Sequence, residues 1–323
     1  MSRSHGVSGL KGMPYENPAP APSGLQRRPA DDARRLATFD EYRPLLFSIA
    51  YRMLGTIADA EDMVQETFIR WQRTDEAEVR DARALLVTIV SRLCINQLQS
   101  ARVKRVEYVG QWLPEPVMTD QENDPLGVLR LDESLSMALM VLLERLTPTE
   151  RAVFLLREVF GYTYAEIARA LGQTESNSRQ LFHRARAHVG TMRRRFHASG
   201  QEHMQLLERF VDASRNGDMD GLLRLLASDV TMHSDGGGKA IAVPNLIHGA
   251  EKVARGLVHG LTHVLPKDLR FKTGWINGDA GVINYLDGKP YSVLVLDVRN
   301  ALVTSIYIVT NPEKLIHLPP LED

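Results

Sequence analysis

Cysteine is nearly missing from this chain. Cys94 is the single thiol in 323 residues, which excludes an intramolecular disulfide, and its apolar neighbours assign it to core packing. Long apolar runs are missing too. No stretch has the length of a membrane span and the first residues carry no apolar signal-peptide core, so no membrane association and a cytoplasmic location are expected. Excess charge is the third absence: 39 Lys and Arg stand against 40 Asp and Glu, for a net charge of −1. No global field draws the chain onto nucleic acid, and any such binding must come from local patches. The length predicts two or three domains with real cores. Residues 1–35, rich in Gly, Pro, Ser and Arg, are expected to be disordered.

What is present is concentrated between Tyr162 and His188. Thr163 with Glu166 reads as a capping box, Ile167 and Leu171 as a buried stripe, and Gly172 as the turn that ends the helix. Thr174 then caps a second helix. Its Ser178, Leu181, Phe182, Ala185 and Val189 recur at helical spacing, leaving Arg179, Gln180, His183, Arg184 and Arg186 on the opposite face. From Thr174 to His197 there are six arginines and one acid, Glu175. A helix with an apolar back and an Arg/Gln/His front fits a DNA major groove, whereas the bland alternative is a solvated basic face.

Helices dominate the first two-thirds of the chain. Residues 36–107 form one all-α block. Asp59 to Arg73 puts Val64, Phe68 and Trp71 on one face and Asp62, Glu66 and Arg70 at successive i,i+4 positions on another. Ala84 to Gln99 reads as a further helix, followed by the acid-free Arg102, Lys104 and Arg105. Residues 108–125 form a linker whose Trp112-Leu113-Pro114-Glu115-Pro116 cannot be helical, since each proline restricts the residue before it. A second all-α block covers 126–197, with helices resuming near Leu126, a strong start at Thr147-Pro148-Thr149-Glu150, and a closing Arg193–Arg195 cluster. Residues 201–323 change character: helices near Met204–Arg215, Met219–Leu226 and Leu246–Leu261 accompany strands around Val230 and near Leu269–Trp275, Gly281–Leu286, Pro290–Val298 and Leu302–Thr310. That order reads as α+β, with a curved antiparallel sheet wrapping helices.

Ala58-Asp59-Ala60-Glu61-Asp62-Met63-Val64-Gln65-Glu66-Thr67-Phe68-Ile69-Arg70-Trp71 resembles the region 2 signature of extracytoplasmic-function sigma factors. Tyr162 to Ala168, running on through Arg184-Ala185-Arg186, resembles their region 4. Trp112–Pro116, Asp235-Gly236-Gly237-Gly238-Lys239 and Asn311-Pro312-Glu313-Lys314-Leu315 resemble motifs of the subclass with a SnoaL-like C-terminal extension. Ser178 departs from the family, which usually has a branched apolar residue there. The resemblance implies a SnoaL-like, NTF2-like cone at the C-terminus and two partners, core RNA polymerase and promoter DNA. It implies polymerase binding by Asp62, Gln65, Glu66 and Arg70, and minus-ten binding by Arg92, Asn96, Arg102, Lys104 and Arg105. It further implies minus-thirty-five binding by Ser176, Asn177, Arg179, Gln180, His183 and Arg184. The extension would regulate the sigma core in cis through Trp112, Leu113, Pro114, Asp235, Gly236, Gly237, Gly238, Lys239, Asn311, Pro312, Lys314 and Leu315. A monomer is expected when free, with a small-molecule ligand of the cone as one form the signal can take.

Enzymatic readings of the last unit are weaker. SnoaL-like domains include cyclases and resemble ketosteroid isomerases, which makes Asp235, His233 and Asp287 candidate proton carriers and Trp275, Tyr285 and Tyr307 candidate pocket walls. Asp235, ahead of three glycines, is expected at a flexible loop mouth. The Gly-Gly-Gly-Lys run lacks the first glycine of a phosphate loop and has Ala240 in place of Ser/Thr, so no nucleotide is expected. His259 and His263 stand i,i+4 without a third ligand, so neither metal nor cofactor is expected. The alternative to a sigma factor is a helix-turn-helix regulator fused to a ligand-binding or isomerase/cyclase-like domain.

Overall fold

Ten helices and six strands build the described chain, and buried apolar stripes decide how they stack. The computed structural model describes residues 29–75, 79–105, 108–119, 136–190 and 200–321. The expectations for residues 1–28, for helix near Leu126 and for Arg193–Arg195 lie outside these.

The first helical unit comprises α1 (Pro29–Leu54), α2 (Ile57–Arg73) and α3 (Ala82–Arg105). α1 begins seven residues earlier than the expected boundary at Leu36. The reason lies in Arg35, which is buried. Its Nη2 donates to Thr74 O at 2.9 Å and to Trp71 O, and its guanidinium lies 4.9 Å from the Trp71 ring centre. Val64 and Trp71 are buried and Phe68 packs against the same core.

The second helical unit comprises α4 (Met137–Leu143), α5 (Pro148–Glu158), α6 (Tyr164–Leu171) and α7 (Glu175–Val189). Thr147/Glu150 and Thr163/Glu166 form capping boxes at the starts of α5 and α6. Gly172 takes φ 68°, the left-handed conformation that ends α6. Thr174 accepts from Asn177 N–H to open α7. Ser178 is fully buried, yet its hydroxyl donates to Thr174 O at 3.1 Å and accepts from Gln173 Nε2 at 3.0 Å, so the polar departure in this core is satisfied. The two units share one apolar core that runs from Phe39 to Val189.

In the last unit α8 (Gly200–Asn216), α9 (Met219–Leu225) and α10 (Ala250–His259) accompany β1 (Leu226–Asp235), β2 (Ile247–His248), β3 (Arg270–Ile276), β4 (Asp279–Leu286), β5 (Lys289–Arg299) and β6 (Leu302–Val309). The strand order is β2-β1-β6-β5-β4-β3. Neighbours are antiparallel except β1 and β6, which run parallel across the long intervening connection. The tight β3–β4, β4–β5 and β5–β6 turns use Asn277-Gly278, Asp287-Gly288 and Asn300-Ala301, all with positive φ, as two-residue hairpins of this hand require. β2 and the single π-helical turn at Gly260–Val264 were not legible from hydrophobic spacing.

Both faces of this sheet are covered, which is why Val293-Leu294-Val295-Leu296 reads as an unbroken apolar run. Met232, Val282, Leu296 and Ile306 face Leu207, Phe210, Leu222 and Val253 of the unit's own helices. Ile283, Tyr285, Val293, Val295, Tyr307 and Val309 face the other way, onto Leu113 and Met118 of the linker and Met137 and Ala138 of α4.

Candidate functional site

The three units meet at residues 108–119. Pro114 and Pro116 keep this segment extended and remove two backbone donors. The alternate N–H groups all find partners. Leu113 N–H donates to Asp235 Oδ2 at 2.8 Å, Glu115 N–H to Gly55 O at 2.8 Å, Val117 N–H to Asn277 Oδ1 at 3.0 Å and Thr119 N–H to Trp275 O at 2.9 Å. Carbonyls are used as fully: Glu115 O accepts from Tyr51 OH at 2.6 Å, Val117 O from Asn277 N–H at 2.8 Å, and Leu113 O from Lys314 Nζ. The linker is thus clasped by α1 on one side and by the sheet unit on the other. Gly55, at φ 80°, sits where a Cβ would lie 2.4 Å from the Trp112 ring, so the indole can lie directly on the α1–α2 turn.

Asp235 is the centre of the clasp. It is fully buried as the last residue of β1, which overturns the expectation of a flexible loop mouth. Oδ1 accepts from Tyr108 OH at 2.6 Å and Gly237 N–H at 3.0 Å; Oδ2 accepts from Leu113 N–H and pairs with Lys314 Nζ at 2.7 Å. Lys314 is itself buried, its ammonium 4.2 Å from the Trp112 ring centre and 5.2 Å from that of Tyr108. Burial, the bond to Asp235 and its charge hold the Tyr108 hydroxyl protonated, far above the ordinary phenol range. Asn311 Nδ2 donates to the same hydroxyl at 3.0 Å. The glycine loop reaches the linker closely: a Cβ on Gly237 would lie 3.1 Å from Tyr108 OH and 2.4 Å from Asn311 Nδ2, and one on Gly238 would lie 3.1 Å from Val109. Lys239 pairs with Glu313 at the surface.

The structure therefore brings the residues expected to regulate in cis into one place, and adds several that spacing did not reveal. Tyr51, Tyr108 and Asn277 are the main additions; Asn277 is fully buried inside a hairpin turn, and its Nδ2 also donates to Tyr51 OH at 2.7 Å. An Asn-Gly pair signals the turn but not the side chain's target. Glu115 is buried, its Oε2 accepts from Ile57 N–H at 2.8 Å at the start of α2, and Oε1 has no hydrogen-bond partner. Burial lifts its pKa to about 7, against the lowering effect of Ile57 N–H and Lys314. His317 Nε2 lies 3.7 Å from Oε1.

The residues weighed as catalytic are divided between the two faces of the sheet and a hairpin turn. His233 and Tyr307 stack at 5.0 Å on the linker-facing side of the sheet, with Gln111 Oε1 3.0 Å from His233 Nδ1. Burial lowers the His233 pKa to about 4. Tyr285 packs on that same face, Trp275 on the opposite one, and Asp287 is a hairpin-turn residue. His259 and His263 stack on each other at 4.8 Å.

The remaining candidates lie on three helices. On α2, Asp62, Gln65 and Arg70 are exposed, and Arg70 pairs with the half-exposed Glu66 at 2.8 Å. On α7, Ser176, Asn177, Arg179, Gln180, His183 and Arg184 are exposed while Leu181, Phe182, Ala185 and Val189 are buried. Arg179 pairs with Glu175 at 3.0 Å, and Arg184 with the buried capping residue Glu150 at 2.9 Å. On α3, Asn96 is exposed, and Arg102, Lys104 and Arg105 extend the helix, their side chains lying outside the described residues. Arg92 has a partner that spacing could not reveal: its Nε donates to Ala170 O at the end of α6, at 2.8 Å. From the opposite side Arg151 of α5 donates to Met53 O near the end of α1, at 2.7 Å.

Comparison with known proteins agrees with this architecture. The family model for Sigma-70 region 2 matches residues 38–103, and that for Sigma-70, region 4 matches residues 136–189. The ECF RNA polymerase sigma factor SigJ of Mycobacterium tuberculosis is 36% identical over 297 residues, spanning 88% of this chain and 94% of that protein. The probable sigma factor SigI of the same organism is 32% identical over 281 residues, with 86% and 94% covered. The crystal structure of M. tuberculosis SigJ superposes with a TM-score of 0.69 at 35% identity, covering 86% of this chain and 97% of that one. The chain belongs to the extracytoplasmic-function RNA polymerase sigma factors.

Proposed function

We propose that this sigma factor docks core RNA polymerase through the α2 stripe of Asp62, Gln65, Glu66 and Arg70, and grips promoter DNA with two helices under the restraint of its own α+β unit. Arg92 and Asn96, with Arg102, Lys104 and Arg105, would hold the minus-ten strand after opening, through backbone contacts and base capture. Ser176, Asn177, Arg179, Gln180, His183 and Arg184 would read the minus-thirty-five duplex from the major groove.

One observation carries the regulatory part. Arg92 of α3 is bonded to Ala170 of α6, whereas two elements about 25 base pairs apart are separated by about 85 Å of B-DNA at about 3.4 Å per pair. Region 2 and region 4 cannot hold both elements in this arrangement, so it is a closed state. The clasp at residues 108–119 favours closure, because the linker's donors are satisfied by the α+β unit and by α1 together. A signal that weakens the clasp shifts the population towards the open state. Asp235 supports a regulatory and not a catalytic unit, since its carboxylate is buried and occupied by four donors.

Reconstitution with core polymerase on a promoter library tests this reading, comparing the full chain with a chain cut after Arg195 and with Asn277→Ala. Both changes should alter promoter output. Unaltered output from both removes regulation in cis.

A further inference from the structure

Closure treats the two DNA-reading helices unequally. α6 lies along α3: Ala84, Val87 and Thr88 of α3 and Ile167 and Ala170 of α6 line a common cleft of about 140 Å³, with Leu156 and Tyr162 at its side. Two arginines fasten the pair reciprocally. Arg92 of region 2 donates to Ala170 O in the last turn of α6, and the buried Arg151 of region 4 donates to Met53 O in the last turn of α1. Each helix end, the negative pole of its peptide dipoles, receives a guanidinium from the other module. Arg151 is held in turn by Glu144 at 2.8 Å. Arg92, though still exposed, thereby gives its Nε donor to protein.

α7 is not covered in this way. Its buried side is Ser178, Leu181, Phe182, Ala185 and Val189, packed against α4, α5 and α6 of its own module. Its other side is exposed, and the Arg179 and Arg184 side chains each retain 56% of their accessible surface. Arg186 and His188 are exposed on the following turn.

We infer that the closed chain is open to duplex DNA at α7 and hindered towards single-stranded DNA at α3, where α6 lies along the helix and holds Arg92, so that closure weakens strand capture and leaves minus-thirty-five docking intact. This rests on the assignment of α7 to duplex and α3 to strand proposed above. It gives closure a defined target, the melting half of promoter recognition, and leaves the chain able to scan duplex DNA while restrained.

The test fixes the closed state covalently. Thr88→Cys and Ala170→Cys line the same cleft, and a short bismaleimide bridges them in the folded full-length protein; the native Cys94 is fully buried and stays unmodified. Two probes are titrated by fluorescence anisotropy: a duplex carrying the minus-thirty-five element and a single-stranded non-template minus-ten oligonucleotide. Bridging should leave duplex affinity unchanged and weaken strand binding by about tenfold or more, the worth of one lost hydrogen bond from a charged group. Arg151→Met, which loosens the same interface without touching either DNA face, should raise strand binding at unchanged duplex affinity. Strand binding that survives bridging, or duplex binding that disappears with it, overturns the inference. Arg179→Ala separates the two levels: if it leaves duplex binding and holoenzyme promoter output unchanged, the assignment of α7 itself is wrong.

Discussion

At the scale of single residues, the strongest dependence falls on Asp235 and Lys314. Both are buried, and they pair with each other at 2.7 Å. Asp235→Asn leaves the Lys314 ammonium buried against two aromatic rings without its counter-charge, which should cost about 3–5 kcal/mol. The double replacement Asp235→Leu with Lys314→Met should recover most of that loss; urea unfolding of the full chain measures both. Arg179 is the opposite case, exposed, paired with Glu175 on its own helix and lying 5.1 Å from the Tyr164 ring centre. Arg179→Ala should leave stability and polymerase binding unchanged while lowering promoter-specific transcription, as read in a reconstituted assay. These contrasts define what spacing can reveal. The outward set on α7 follows from a 3.6-residue period and was legible. The partner of Arg92 was not, because a carbonyl exposed at a helix end leaves no mark in the sequence. Ser178 looked like a defect for a related reason: its acceptors and donors are one turn away and invisible to hydrophobic counting.

At the scale of elements, the linker behaves as a proton-linked strap. In the closed state Glu115 has a pKa of about 7, raised chiefly by burial, with Asp59 and Glu61 adding to the rise and Lys314 opposing it. Once released to solvent it should return to about 4.3. The closed state therefore holds the proton more tightly. Closure gains stability as the pH falls from 7, and that contribution is lost as the pH rises through 7. His233 works in the other direction, since its pKa of about 4 makes closure less stable as the pH falls below 6.5. Between pH 6.5 and 8 the Glu115 effect outweighs that of His233, and the open-to-closed ratio should rise about twofold. A donor–acceptor dye pair on region 2 and region 4 reads this directly, with Glu115→Gln as the variant that should abolish the rise and leave the shallow opposite trend of His233. The motif Trp112–Pro116 announced an extended segment through its prolines. Which residues clasp it was hidden, because they lie on hairpin turns and strand ends far along the chain.

At the scale of the whole molecule, a chain of net charge −1 meets DNA only through its patches. If α7 alone engages a duplex through about four phosphates, log affinity against log salt should fall with a slope of about −3.6. A slope twice as steep from the isolated protein would mean that both modules bind at once, contrary to the closed arrangement. The order of fold classes along the chain, two helical units and then α+β, was readable because hydrophobic periodicity changes after residue 200. The joining of all three was not, since it depends on a sheet face whose outer layer comes from other units. That dependence has a temporal side. Lys314 follows Leu113, which it holds, by 201 residues. At about 5–20 residues per second, a ribosome needs about 10–40 s to cover that interval. For the last 125 residues of it, from Val189 at the end of α7 to Lys314, each newly made molecule carries both helical units complete with no clasp to hold their linker. A young sigma factor is unrestrained by construction, and its restraint is acquired with age.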